Sequence, residues 1–304
     1  MYNSPVPRTV RLAGGGLSGL ATAVLLARRG VAWEGSADEV FADVEAAGIG
    51  GGMEHASEIF YGERSVANRP AFGVVAHETA HQWFGDSVTE KDWDDVWLSE
   101  GFATYFALLE TEHYEGRDAF VARLKRNRTS VLAAEKKFPG VAVVADQPWK
   151  GIPNPIVYQK GGWTLHMLRG QLGTERFWEG IREYYRRYRD GNASSDDFRK
   201  LMEEIAGADL GWFFHQWLYH AGSPVVEGGW RYNAATRKIE IELAQTQPGD
   251  AYRLPLEVAV DARIEKIEMT QKQQRFEMAA DKEPAEVLLD PNTWMLMDTH
   301  FGKK

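Results

Sequence analysis

The chain has 304 residues, 44% of them hydrophobic and 26% charged, proportions of an ordinary globular protein long enough to bury a sizeable core. A formal net charge of −9 argues against broad binding to nucleic acid or to anionic membranes. Cysteine is absent, so disulfides are excluded and any metal must be held by His, Asp or Glu.

Residues 1–40 are rich in Gly and Ala. The apolar run over 12–27 follows Arg8 and Arg11, as in a secretory leader, but "RRG" stands where a small-residue cleavage site belongs. The run is also too short and too glycine-rich to span a membrane, so a cytoplasmic protein is the expectation. Gly14, Gly16 and Gly19 match GxGxxG ahead of a helix-like stretch, a fingerprint of FAD or NAD binding. That fold needs several further parallel strands, and half a βαβ unit cannot enclose a cofactor. An N-terminal extension is expected here, with a dinucleotide-dependent oxidoreductase as an alternative.

Short apolar strands are expected from residue 41, followed by a helix over "GVVAHETAHQWFG", residues 73–85. On that helix His77 and His81 share one face, with Glu78 beside them. Two neutral imidazoles suit zinc, and a neighbouring carboxylate can take a proton from water. A catalytic site needs a third ligand. "WLSEGFATYF" supplies Glu100, with eighteen residues between it and His81, after a turn-like stretch "GDSVTEKDWDDV". Glu100 stands in an otherwise apolar helix, where an unpaired charge is costly.

Residues 111–221 read as helices throughout. "FWEGIREYYRRYR" sets Phe177, Trp178, Ile181, Tyr184, Tyr185 and Tyr188 on one face, the stripe of a packed helix. "SSDDFRKLMEEIAG" offers Ser194 as N-cap, Asp197 three residues on, and Gly207 as the stop. After "HAGSPVV" the period becomes alternating: Ile239, Ile241 and Leu243 point one way, Lys238, Glu240 and Glu242 the other. Further short strands at turn-punctuated intervals predict a small antiparallel β-sandwich over 222–304.

The spacing HExxH, eighteen residues, Glu resembles that of the aminopeptidase N family of gluzincin zinc peptidases. "GGMEHASEIFYGE" is similar to that family's Gly-x-Met-Glu-Asn exopeptidase motif, and "VYQKGGWTLHMLR" to its Tyr-x-Lys-Gly segment. The resemblance implies an α+β architecture: a thermolysin-like catalytic domain over 41–221, with a small sheet lobe and a helical lobe, then the β-sandwich. It implies one zinc per chain on His77, His81 and Glu100, with Glu78 as general base. Tyr158 would donate to the oxyanion, and Glu54, with Gly51, Gly52 and Met53, would bind the substrate and its free α-amino group. The strand through Ile59 and Phe60 would pair with the peptide backbone. His55 stands where the family has Asn and reads as a local hydrogen-bonding substitute. Peptides with a free N-terminus are the implied partners. Family members carry a large β-domain ahead of this region, where here only some fifty residues precede "GGMEH". A catalytically weak peptide-binding or interaction module is therefore the alternative function, and an open sheet edge could pair two chains into a homo-oligomer.

Overall fold

The computed structural model describes residues 9–11, 32–34, 42–46, 51–56, 58–62, 65, 72–144 and 153–304. Strands β1 (Thr9–Arg11) and β2 (Ala32–Glu34) pair in parallel. Gly14, Gly16 and Gly19 lie outside the described residues. β3 (Ala42–Ala46), β4 (Gly52–Met53) and β5 (Glu58–Gly62) form a three-stranded sheet with β5 in the middle, parallel to β3 and antiparallel to β4.

Helix α1 (Phe72–His81) packs against α2 (Trp97–Glu115). The segment between them carries more order than a turn: β6 (Val88–Glu90) and a 3₁₀ turn over Trp93–Asp95. The start of α2 is tied down by Trp97 Nε1, which donates to Ser195 Oγ at 2.7 Å, and by Ser195, which donates to Asp95 at 2.6 Å. Trp97, Phe102 and Tyr105 are fully buried, so α2 is a central helix with neighbours on several sides.

α3 (Arg117–Lys137) follows, then a π-helical turn over Pro155–Lys160 that runs into α4 (Gly161–Leu172). Gly101 of α2 and Gly161 meet backbone to backbone; a Cβ on Gly101 would lie 2.9 Å from the Gly161 carbonyl carbon. Glycine at both places lets the π turn lie directly on the helix that carries Glu100. α5 (Thr174–Tyr188) buries Phe177, Ile181 and Tyr184 of its stripe. β7 (Gly191–Ala193) pairs with β6, and α6 (Ser195–Ala206) opens with the Ser194–Asp197 capping box and ends at Gly207 in the left-handed region. A short helix, α7 (Gly211–Phe214), runs into a π turn that ends at Tyr219.

From Val225 the chain is all strand: β8 (Val225–Asn233), β9 (Lys238–Gln245), β10 (Leu254–Val260), β11 (Arg263–Met269), β12 (Gln273–Ala279), β13 (Val287–Leu289) and β14 (Asp298–Lys303). They form a four-stranded sheet, β12-β9-β8-β14, and a three-stranded one, β11-β10-β13. Ile239, Ile241 and Leu243 face inward, as their alternation requires. The pairing is not wholly antiparallel: β14 lies parallel to β8 along its whole length. "DTHFGK" has no apolar alternation, so the sequence offered no sign of this closing strand. Buried residues of both sheets belong to one apolar cluster that continues into the helices.

Candidate active site

One turn of α1 separates His77 from His81, and their Nε2 atoms lie 3.2 Å apart. Glu100, in the first turn of α2, brings Oε2 to 3.2 Å from His77 Nε2 and 3.3 Å from His81 Nε2. Ligands at about 2.0–2.1 Å from a tetrahedral zinc stand about 3.3 Å from one another. The three donor atoms thus already hold the spacing of one face of such a polyhedron, and two imidazoles with a carboxylate are a donor set suited to zinc. His81 Nδ1 lies 2.9 Å from Ser99 Oγ and 3.1 Å from the Phe84 carbonyl oxygen. A proton on Nδ1, donated there, leaves the Nε2 lone pair for the triangle. His81 is buried, whereas His77 and Glu100 are partly exposed, so one side of the triangle is open to an incoming group.

Burial opposes ionisation of Glu100, but hydrogen bonds and charge from His77 and His81 outweigh it and hold the carboxyl at about 2. Glu78 behaves oppositely. Burial pushes its carboxyl up to about 7; His81 works against the rise, and Glu54 and Glu100 add to it. Carboxylate oxygens of Glu54 and Glu78 and a ring nitrogen of His81 lie within 4.8 Å of one another, a second group beside the first. Gly52 rests against the Glu78 carboxylate so closely that a Cβ there would meet Oε1 at 2.5 Å. That contact gives "GGMEH" a structural role before any role in binding.

Glu54 is held through its backbone. Gln82 Nε2 donates to the Glu54 carbonyl at 3.0 Å and to Asp86 Oδ2 at 2.7 Å. Burial raises the Asp86 carboxyl to about 7, with His81 opposing and Glu54 and Glu90 reinforcing. Gln82, Asp86 and Ser99 were not singled out from the sequence. The available signal was three polar side chains close to His81 and Glu100 in an apolar setting. His55 is exposed and meets the Phe60 ring edge-on at 5.4 Å.

Gly51, Gly52 and Met53 lie along the same short segment as Glu54. The expectation that the Ile59–Phe60 strand pairs with a peptide needs correction. β5 pairs with β3 along its whole length and with β4 at Phe60 and Tyr61, so both edges are taken at Phe60, while Ile59 has no registered partner on the β4 side among the described residues. Among the described residues β4 pairs only with β5, which makes Gly52–Met53 an edge of the sheet, the one next to Glu78. Tyr158, on the π turn, stacks on His77 with ring centroids 5.9 Å apart and planes 6° from parallel. Burial, and then the nearby Glu100, Glu54 and Glu78 carboxylates, raise its phenol well above the usual range, so it stays a hydrogen-bond donor.

A donor triangle on neighbouring helices, with a buried carboxylate next to it, is the arrangement of a metal-dependent hydrolase. The Peptidase family M1 domain matches residues 42–217, more than half of the chain, and the chain belongs to that family, one of metallopeptidases. It is 32% identical over 183 residues to the aminopeptidase N of Lactobacillus delbrueckii subsp. lactis, covering 57% of this chain and 21% of that protein. It is 36% identical over 160 residues to the aminopeptidase N of Lactococcus lactis subsp. cremoris (strain MG1363), covering 50% and 19%. To the probable aminopeptidase 2 of Sulfurisphaera tokodaii it is 30% identical over 225 residues, 71% of this chain and 29% of that protein. The matched stretch therefore spans less than a third of these relatives' own length. In fold it is similar to a Legionella pneumophila aminopeptidase A solved in complex with aspartic acid, with a TM-score of 0.75 at 17% identity over 94% of this chain and 35% of that one. No helix among the described residues is long and apolar enough to cross a membrane.

Proposed function

We propose that this chain hydrolyses the N-terminal peptide bond of peptides, with one zinc ion held by His77, His81 and Glu100. The observation that carries the reading is the donor triangle, with edges of 3.2, 3.2 and 3.3 Å, standing beside the buried Glu78. Bound there, zinc supplies Lewis acidity toward the scissile carbonyl and lowers the pKa of water.

The remaining roles fall to side chains of the chain itself. Glu78, as carboxylate, accepts a proton from the attacking water and returns it to the leaving amine. Tyr158 keeps its phenolic proton and donates a hydrogen bond to the oxygen that gains charge. Glu54 pairs with the substrate ammonium, and Gln82 and Asp86 hold the segment that bears it. An ammonium fixed at Glu54 leaves room for only one residue before the triangle, which restricts cleavage to the first peptide bond. The edge strand β4 takes the extended substrate backbone by strand addition. The two C-terminal sheets pack as a sandwich on a thermolysin-like catalytic unit, and Gly222, just ahead of them, accepts from Lys160 at the end of the π turn that carries Tyr158.

The test is Glu78→Gln. It should keep the metal and lower turnover of a leucine arylamide by about two to four orders of magnitude. A variant that holds zinc and keeps most of its activity would remove Glu78 from the base role.

A further inference from the structure

Glu54 lies beside His81, at the C-terminal end of α1. Toward the other end of the same helix a cavity of about 320 Å³ continues from the site, sharing Gly51, His77, Glu78 and Tyr158 with it, and lies within the size range of small-ligand sites. His77 and Tyr158 form its wall toward the donor triangle, and Val74 and Leu108 give it an apolar surface. Its outer side is made by α3, which contributes Arg123, Arg126 and Asn127, three residues that share a helix face through their spacing.

The charge of this cavity departs from that of the chain. In a protein of net charge −9, two guanidinium-bearing residues line it, and among the described lining residues Glu78 is the one carboxylate. Arg123 is set against the first turn of α1: a Cβ on Gly73 would meet its Nη1 at 3.2 Å. Its ion pair is loose, 3.7 Å from Glu115 Oε1, well beyond the about 2.7–2.9 Å of a tight charge-assisted bond. Arg126 is exposed and has no ion-pair partner among the described residues. Among the described residues neither guanidinium is engaged in a tight pair, and two such groups next to an amide form a receptor for a planar anion.

We propose that this cavity takes the substrate residue that follows the scissile bond, and that Arg123 and Arg126 select a carboxylate there. The inference rests on the aminopeptidase reading: with the ammonium at Glu54 and the scissile carbonyl at the triangle, the chain continues toward this end of α1. The carboxylate has two sources. It is the terminal carboxylate of a dipeptide, or the side chain of Asp or Glu in second position.

Binding to the zinc-loaded Glu78→Gln protein, followed by calorimetry, tests this without turnover. The ligands are Leu-Ala, Leu-Ala-amide, Leu-Glu-amide and Leu-Gln-amide. At least one charged member should bind about tenfold more tightly than its neutral counterpart, about 1.4 kcal/mol. The advantage should shrink as salt is raised. A gain confined to Leu-Ala assigns the terminal carboxylate, and a gain for Leu-Glu-amide assigns the side chain. Adding Arg126→Gln, which lies at the surface and spares the fold, should reduce the gain, and adding Arg123→Gln as well should abolish it. Equal affinity within both pairs, an advantage that survives the double arginine replacement, or no binding of any member would overturn the proposal. N-acetylated members separate the two readings. If they bind as tightly as the free amines, the role of Glu54 fails while the carboxylate preference is still measured.

Discussion

Gly52 and Glu78 compete for the same space: any side chain at position 52 would begin 2.5 Å from the Glu78 carboxylate oxygen. On the proposed reading, the segment that would bind the substrate thus also sets the position of the base. Gly52→Ala should push Glu78 aside and lower kcat by about a hundredfold, as small misplacements of a reacting group do. Zinc content should be unchanged, because His77, His81 and Glu100 are untouched. Metal analysis beside steady-state kinetics checks both halves; loss of zinc together with activity would point to a wider collapse of the site.

Gln82 ties the backbone of Glu54, the proposed amine-binding residue, to the Asp86 carboxylate. Gln82→Leu removes both hydrogen bonds while keeping similar bulk. KM for free-amine peptides should rise about tenfold, the scale of one lost hydrogen bond to a charged group, with kcat changed less. A fall confined to kcat would move Gln82 from amine recognition to the chemical step.

Lys160 is fully buried, two residues after Tyr158. Its Nζ donates to Glu135 at 2.8 Å and to the Gly222 carbonyl at 2.7 Å, and Ser223 Oγ donates to the same Glu135 carboxylate at 3.0 Å. The pair clamps the π turn to α3 and to the segment that leads into the C-terminal sheets. Lys160→Met leaves Glu135 without its countercharge and should destabilise the fold by about 3–5 kcal/mol. Lys160→Met with Glu135→Leu should recover a large part of that loss. Denaturant unfolding of both variants measures it, and equal stability of the two would show that the pair is not coupled.

His166, on α4, lies between the Thr293 carbonyl at 2.9 Å and the Tyr105 hydroxyl at 3.3 Å. Burial pulls its pKa down to about 3, the Thr293 carbonyl opposing and Arg117 and Arg169 adding to the fall. With the folded value below the unfolded one near 6.5, the unfolded chain takes up the proton first as pH falls. The stabilisation is complete above about 6.5 and is lost on acidification toward 3, at up to about 1.4 kcal/mol per pH unit. His166→Gln should therefore cost clearly less stability at pH 5 than at pH 7.5. A cost independent of pH would mean that His166 is not held neutral.

The donor set was legible because its geometry is local: the helical repeat alone brings His77 over His81, and a lone Glu100 in an apolar helix calls for a positive partner. The alternation of β9 was legible for the same reason. Features that depend on another segment were not. Gln82 and Asp86 acquire meaning only when residue 54 is laid beside them, 28 positions away from Gln82. The central place of β5, with both edges taken at Phe60 and Tyr61, follows from β3 and β4 folding against it. β14 lacks any strand pattern and is ordered by its parallel partner β8. Arg123 and Arg126 look like solvated charges on an amphipathic helix until the cavity beside His77 is seen.

The most direct test is a zinc titration of the chelated, metal-free protein, with metal content and hydrolysis of a leucine arylamide followed together and an N-acetylated substrate as control. The account predicts activity that returns in proportion to zinc, saturates at one ion per chain and leaves the acetylated substrate uncut. Activity that survives chelation, or one bound zinc with no cleavage of any free-amine substrate, would contradict it.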